Sequence, residues 1–231
     1  QQGYAMQYEL TQSDRKLLES ARQKLLQRRQ QYRQIPVDDK LLAGWNGLAL
    51  SAFSLAYKEL GDAELKKTAG AIARYIRKSL VEDGNLIRAS REGKPIGQAS
   101  LADYAYVAEG FWHYYLLTGS KDDMNIAQSI IDAGWEKFYS SSGWNLGAMA
   151  GIESAGRQAI IADGPQASPS SVLLDISYQL AKKTGDKQLG EKVQNALGFD
   201  ALGLSRDPFW YASQVGVIAD VFLDSTEKSI D

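Results

Sequence analysis

Residues 41–57 read LLAGWNGLALSAFSLAY and contain no Asp, Glu, Lys or Arg. A helix with a solvent-facing side would carry charges there, so we predict a helix that is buried nearly all round. Residues 65–80 place Leu, Ala and Ile at spacings of three and four, with Lys and Arg between them. That spacing predicts an amphipathic helix with one apolar stripe and one solvent-exposed face. We therefore expect the fold to be built from pairs of one buried and one amphipathic helix.

The same pair recurs along the chain. Residues 100–117 and 168–180 are mostly apolar, each is followed by a charged helical pattern, and residues 208–223 begin one more apolar helix. Gly61, Gly119 and Gly185 end the apolar helices at similar intervals, which indicates a repeated two-helix unit. Alternating buried and charged helices form an inner and an outer shell. The prediction is an all-α fold, an (α/α) toroid or an incomplete toroid of helical hairpins, with an ordinary helical bundle as the alternative.

The predicted boundaries describe a single domain over residues 1–231. Residues 1–36 form a leading helix, capped by Thr11 or Ser13, and a connection, whereas residues 37–231 hold the repeated hairpins. Two glycine-containing connections predict short β-hairpins on one rim. The first pairs residues 86–89 with 94–96, and the second pairs 144–149 with 158–162. We expect Trp144 of the second to cover a pocket mouth.

Composition excludes several classes of function. With 26 basic and 28 acidic residues, nucleic acid is not expected as a partner. No run approaches the roughly 18 apolar residues of a membrane span. The chain has no Cys and one His, so we expect no metal and no cofactor. It begins with Gln, which leaves the compartment open between the cytoplasm and, if a signal peptide was removed, the periplasm.

Acidic residues recur where the predicted inner helices begin. Asp39 precedes the first, Asp103 lies in the first turn of the second, and Asp163 precedes the third. A carboxylate buried without a partner costs several kcal/mol, so each must find a donor, a ligand or water. The alternative is helix capping, because Asp103 follows Ser100 at the spacing of a capping box.

Aromatic and amide side chains accompany these acids. Trp45, Asn46 and Tyr104 lie in the first turns of the same helices. Aromatic faces stack on the C–H face of a sugar, and amides and carboxylates hydrogen-bond to its hydroxyls. Ordinary core packing is the other interpretation. His113 lies nearly three turns deeper than Asp103, and we interpret it as a core histidine.

Three motifs stand out in the sequence: DDKLLAGWNGL at residues 38–48, LADYA at 101–105 and DGPQASPSSV at 163–172. They resemble motifs of a known family, the YyaL-like, spermatogenesis-associated thioredoxin-domain proteins. The resemblance implies a thioredoxin-like domain joined to an (α/α)6 toroid of the six-hairpin glycosidase and N-acylglucosamine 2-epimerase kind. This chain would be the later part of that toroid, and the family's toroid is assigned to carbohydrate binding or metabolism.

The resemblance also implies a site. Ala102 replaces the first acid of the family's paired Asp-Asp, so the predicted catalytic pair is Asp103 as general acid and Asp39 as base for water, as in a glycoside hydrolase. A single histidine argues against an epimerase that uses two. The predicted sugar contacts are Asp38, Trp45, Asn46, Tyr104, Asp163 and Ser168.

Two functions remain open at this point. One is a carbohydrate-binding domain that also processes its saccharide. The other is a non-catalytic scaffold or interaction module that pairs with a separate thioredoxin-like domain. A small saccharide is the expected ligand of the first, and self-association or a missing N-terminal segment is expected to complete the toroid.

Overall fold

The computed structural model describes residues 11–32, 37–82, 85–141, 143–146, 161–197, 204 and 207–227. The chain divides into two compact units, Gln1–Asp39 and Lys40–Asp231. The first unit contains helix α1, Gln12–Tyr32. Thr11 caps it as predicted, because the Asp14 amide donates to Thr11 Oγ1 at 3.2 Å and the Thr11 amide donates to Asp14 Oδ2 at 3.0 Å.

The second unit is a series of helical hairpins. The helices are α2 (Ala43–Leu60), α3 (Ala63–Ser79), α4 (Leu101–Thr118), α5 (Lys121–Phe138), α6 (Pro169–Thr184), α7 (Lys187–Leu197), a 3-10 helix (Pro208–Tyr211) and α8 (Ala212–Glu227). Gly61, Gly119 and Gly185 adopt φ values of 70°, 68° and 75° at the hairpin turns. Such positive φ values favour glycine, which explains why a glycine follows each of these inner helices. The predicted two-helix unit is confirmed.

The helices form two layers. Helices α2, α4, α6 and α8 pack one against the next, and α3, α5 and α7 pack on their outer side. Helices α4 and α6 are buried over most of their length, as predicted. Helix α2 is not, because Trp45 is 67% exposed and Leu55 is 40% exposed along one flank. The prediction that α2 is buried all round was therefore wrong on this flank.

Helices α2 and α4 approach each other through two glycines. A Cβ on Gly47 would lie 2.4 Å from the carbonyl oxygen of Tyr106, and one on Gly110 would lie 2.5 Å from that of Gly47. No side chain fits at such distances, so these glycines allow the backbones to touch. The close crossing sets the first turns of the two helices side by side.

Short strands lie beside the helix ends. Strand β3 (Asn85–Arg91) pairs with β1 (Leu41–Leu42), with β2 (Val81–Glu82) and with β4 (Lys94–Gln98), and it lies between β1 and β2 in the strand order. All three pairings are antiparallel. The turn between β3 and β4 uses Glu92 and Gly93 at positive φ. The first predicted hairpin is confirmed.

The second predicted hairpin, of residues 144–149 with 158–162, falls largely outside the described residues and stays a prediction. Strands β5 (Tyr139–Ser140) and β6 (Gly143–Trp144) pair with each other, with Tyr139 opposite Trp144. Trp144 is 1% exposed and packs against Trp135 and Tyr139 at centroid distances of 4.9 and 4.7 Å. Most of the predicted partner segment, residues 158–162, lies outside the described residues. The expectation that Trp144 covers a pocket mouth was wrong, because its indole is part of the core.

Within the described ranges, no helix combines the length and the apolar character that crossing a membrane requires. The same residues contain no cluster of His, Asp and Glu suited to a metal ion.

Candidate functional site

A concavity of about 380 Å³ lies at the N-terminal turns of the inner helices. It is lined by Trp45 of α2, Tyr106 of α4, and Ala162, Gly164, Pro165, Gln166, Ala167, Ser168 and Pro169 of the connection that leads into α6. Two predicted sugar contacts, Trp45 and Ser168, are therefore brought together by the fold. The concavity combines an exposed indole with a mostly apolar wall, which also contains backbone groups and the largely buried Ser168.

Hydrogen bonds hold the wall in place. The Tyr106 hydroxyl donates to the Ala167 carbonyl at 2.8 Å, and the hydroxyls of Ser168 and Ser170 lie 2.9 Å apart. Burial raises the pKa of Tyr106, and the charges of Glu109 and Asp163 raise it further. Tyr106 therefore stays protonated and keeps its role as a donor at neutral pH.

Asp163 fastens the same connection to α8. Its carboxylate accepts from the Ser168 amide at 2.8 Å, from the Ser213 amide at 2.9 Å and from the Ser213 hydroxyl. Burial alone would raise the pKa of Asp163, but the hydrogen bonds from Ser213 and Ser168 outweigh it and lower the pKa. Asp163 is thus an ionised carboxylate beside the concavity, engaged by backbone donors.

Asp103 joins the first turns of α4 and α2. Its Oδ2 accepts from the Ser100 amide and the Ser100 hydroxyl, both at 2.8 Å, and its Oδ1 accepts from the Gly44 amide at 3.1 Å. Arg88 Nη1 lies 3.8 Å from Oδ2. The capping interaction that the spacing predicted is present, and the same carboxylate also binds the neighbouring helix.

The other predicted residues lie in different surroundings. Tyr104 is 2% exposed, stacks on Phe138 and accepts from the Leu86 amide at 3.1 Å, so it lies in the core rather than in the concavity. The Asn46 amide donates to the Leu42 carbonyl at 2.8 Å. Asp38 and Asp39 are exposed residues of the first unit. A role for Asp39 as the partner of Asp103 stays a prediction.

A group of carboxylates lies deeper on the inner helices, and the sequence analysis did not single out its member Glu109. Glu109 follows Tyr106 by one turn of α4, and Asp175 and Asp220 lie on α6 and α8. Burial, and then the charge of Asp175, raises the pKa of Glu109 to about 7. Burial, and then the charge of Asp220, outweighs the hydrogen bond from Gln179 and raises the pKa of Asp175.

A signal for this group was present in the sequence. Glu109 and Asp175 each interrupt an otherwise apolar helix. Burying a charge is costly unless it is paired or neutralised, so an acidic residue at such a position points to a special environment. The expectation that chemistry lies at helix N-termini drew attention away from Glu109. A carboxyl group whose pKa is near neutrality, one turn from a residue that lines the concavity, is a candidate proton donor.

The comparisons with known proteins agree with the motifs. The chain is 28% identical over 191 residues to spermatogenesis-associated protein 20 of Rattus norvegicus and of Homo sapiens, and the match covers 77% of this chain. The chain spans about a quarter of the length of these curated relatives, 24% in each case. No family model matches the sequence.

Solved structures share the fold. A sugar epimerase from a ruminal bacterium superposes with a TM-score of 0.58 at 18% identity, covering 71% of this chain and 44% of that one. Cellobiose 2-epimerase from Bacillus thermoamylovorans gives 0.56 at 16% identity, covering 71% and 45%. Unsaturated glucuronyl hydrolase from Bacillus sp. GL1 gives 0.55 at 17% identity, covering 81% and 55%. The chain is thus homologous to spermatogenesis-associated protein 20, in agreement with the family that its motifs resemble, and it has the α/α-toroid fold of these epimerases and hydrolases.

Proposed function

We propose that this chain is a carbohydrate-binding α/α-toroid domain and that its saccharide lies in the concavity between Trp45, Tyr106 and residues 162–169. The observation that carries the proposal is the exposed indole of Trp45 within a concavity of about 380 Å³. A sugar presents an apolar C–H face and a ring of hydroxyls, so it needs an aromatic face beside hydrogen-bonding groups. The similar folds belong to enzymes named for sugars, which supports the same reading.

Each lining residue has a role in this proposal. The indole of Trp45 stacks on the sugar, because it is large, apolar and 67% exposed. Ser168 and the backbone of the connection bind the hydroxyls, and Tyr106 keeps the connection in position through its bond to Ala167. Asp163 holds the other end of the connection against α8. In the finer form of the proposal, Asp38 and Asn46 also contact the sugar, whereas Tyr104 is buried in the core and does not.

Hydrolysis of a glycoside is the catalytic extension of this proposal. Asp103 and Asp39 are its predicted acid and base, although Asp103 already accepts three hydrogen bonds. Glu109 is a second candidate for the acid, because a pKa of about 7 leaves a large protonated fraction at neutral pH. The non-catalytic alternative is a scaffold for a separate thioredoxin-like domain.

A ligand screen tests binding. Neutral mono- and oligosaccharides are added to the chain and the melting temperature is followed. A saccharide at 100 times its Kd should stabilise the chain by about 2.7 kcal/mol. For a chain of this size, each kcal/mol raises the melting temperature by about 2–4 °C. Trp45→Ala should abolish the shift, whereas Leu60→Ala, a control on an exposed side chain of the same helix, should keep it. If no saccharide shifts the melting temperature, or Trp45→Ala leaves the shift intact, the proposal fails.

The catalytic extension is tested with 4-nitrophenyl glycosides. Release of 4-nitrophenolate that is lost in Glu109→Gln but kept in Asp103→Asn assigns the acid to Glu109, and the reverse assigns it to Asp103. Loss in Asp39→Asn supports Asp39 as the base. Saccharide binding without any release favours the non-catalytic domain.

A further inference from the structure

A second cavity, of about 210 Å³, lies between α2 and α4 in their C-terminal halves. It is lined by Ser54, Leu55, Tyr57, Lys58, His113, Leu116 and Leu117. Leu55 follows Trp45 by ten residues along α2, or about 15 Å. None of its lining residues belongs to the saccharide concavity. The cavity is therefore a separate place in the fold, with mostly apolar walls.

His113 is the polar centre of this cavity. It is the only histidine of the chain, and its Nδ1 lies 2.7 Å from the hydroxyl of Ser51. Ser51 is 6% exposed, so the bond is shielded and holds the ring in one orientation. With Nδ1 engaged, Nε2 is the nitrogen that a molecule in the cavity can reach. The Ser51 hydroxyl thus makes His113 a positioned hydrogen-bonding group rather than only a packing residue.

The surrounding charges select a neutral ligand. Lys58 lines the cavity and disfavours a cation. The last turns of α2 and α4, which end at Leu60 and Thr118, direct the negative ends of their dipoles towards this region and disfavour an anion. Burial, and then the charge of Lys58, lowers the pKa of His113, so the imidazole itself is neutral at pH 7.

We propose that the cavity between α2 and α4 binds a small neutral alcohol whose hydroxyl bonds to His113 Nε2 and whose apolar body packs against Leu55 and Leu116. A hydroxyl both donates and accepts, so it satisfies Nε2 in either tautomer of the imidazole. The volume suits a ligand about the size of a phenol ring. The apolar walls provide the burial that favours such a body over a purely polar molecule.

The probe is 4-fluorophenol, titrated into the full chain and followed by fluorine NMR. We expect saturable binding, and about tenfold weaker binding of fluorobenzene, which lacks the hydroxyl. The imidazole nitrogens of His113, observed in the same samples by proton–nitrogen correlation, should shift with 4-fluorophenol only. Because the chain has one histidine, the signals need no assignment.

Variants separate this site from the saccharide concavity. His113→Phe should remove the preference for 4-fluorophenol over fluorobenzene, Ser51→Ala should reduce it by releasing the ring, and Trp45→Ala should leave it unchanged. Near-ultraviolet circular dichroism checks that each variant keeps its tertiary packing. Equal binding of the two probes, an absence of binding, unshifted His113 signals, or a preference that survives both His113→Phe and Ser51→Ala overturns the proposal.

Discussion

The carboxylates of the inner helices differ in what surrounds each one. Asp103 and Asp163 accept hydrogen bonds from backbone amides, which use their oxygens in structural bonds. For Glu109 and Asp175, burial is the main influence, and it raises the pKa of each. Glu109, whose pKa is raised to about 7, is suited to carrying a proton near neutral pH.

Glu109→Gln should stabilise the chain in a pH-dependent way. The pKa of Glu109 is raised from 4.5 in the unfolded chain to about 7 in the folded one, so the wild-type residue weakens folding as pH rises from 4.5 to 7. The variant should therefore gain stability over that window and keep a constant advantage above it, of at most about 3 kcal/mol.

Urea unfolding at pH 4, 5, 6, 7 and 8 measures this difference. Glu136→Gln, which changes an exposed carboxylate on the outer face of α5, is the control and should stay close to the wild type throughout. A Glu109→Gln difference that is flat with pH, or that falls as pH rises, would contradict burial as the origin of the raised pKa.

Neighbouring helices pack so closely that some of their backbone atoms are in direct contact. The α2–α4 crossing depends on Gly47 and Gly110, and it brings Trp45 and Tyr106 to the same concavity. The outer side is held differently, through the aromatic group of Trp135, Tyr139 and Trp144. Lys192 of α7 lies 4.7 Å from the centroid of the Trp135 ring, which adds a cation–π contact.

Gly47→Ala should destabilise the chain by about 3 kcal/mol or more. The new methyl group would meet the Tyr106 carbonyl at 2.4 Å, and backbone on both sides must shift to make room. Gly216→Ala is the matched control, because nothing lies within 4 Å of its Cβ position in helix α8.

The control should be neutral or stabilising by up to about 1 kcal/mol, from helix propensity alone. Chemical denaturation of both variants gives the comparison. A Gly47→Ala variant as stable as the wild type would mean that α2 and α4 are able to separate at little cost, and that the crossing does not position the site.

The second unit, Lys40–Asp231, is organised around α4. This helix packs on α2, α5 and α6, and its residues from Leu101 to Trp112 are almost all buried. The row of inner helices exposes apolar side chains at both ends, Trp45 and Leu55 on α2 and Phe222 and Leu223 on α8. Self-association or a further segment that covers these ends stays a prediction.

Amide hydrogen exchange should follow this organisation. We expect the slowest exchange in the first three turns of α4, because opening them requires breaking contacts with three helices. Helix α8 packs mainly on α6 and on one edge of α7, so its amides should exchange faster. Mass-spectrometric exchange at neutral pH measures both. Protection in α8 equal to that in α4 would contradict a fold centred on α4.

The sequence by itself determined the repeated hairpins, the left-handed glycine turns, the β3–β4 hairpin and the toroid class. These features depend on local chemistry, namely the period of apolar residues, the distribution of charge and the φ freedom of glycine. It also identified Trp45 and Ser168, which line the concavity.

Only the tertiary structure decided which carboxylates accept structural hydrogen bonds and which have a raised pKa. It also placed Tyr104 and Trp144 in the core. Asp103 and Glu109 look alike as acids on one apolar helix, yet one is met by the amide of Gly44 and the other is buried near the charge of Asp175. A residue's pKa and burial are set by groups from distant parts of the chain, which become its neighbours only on folding.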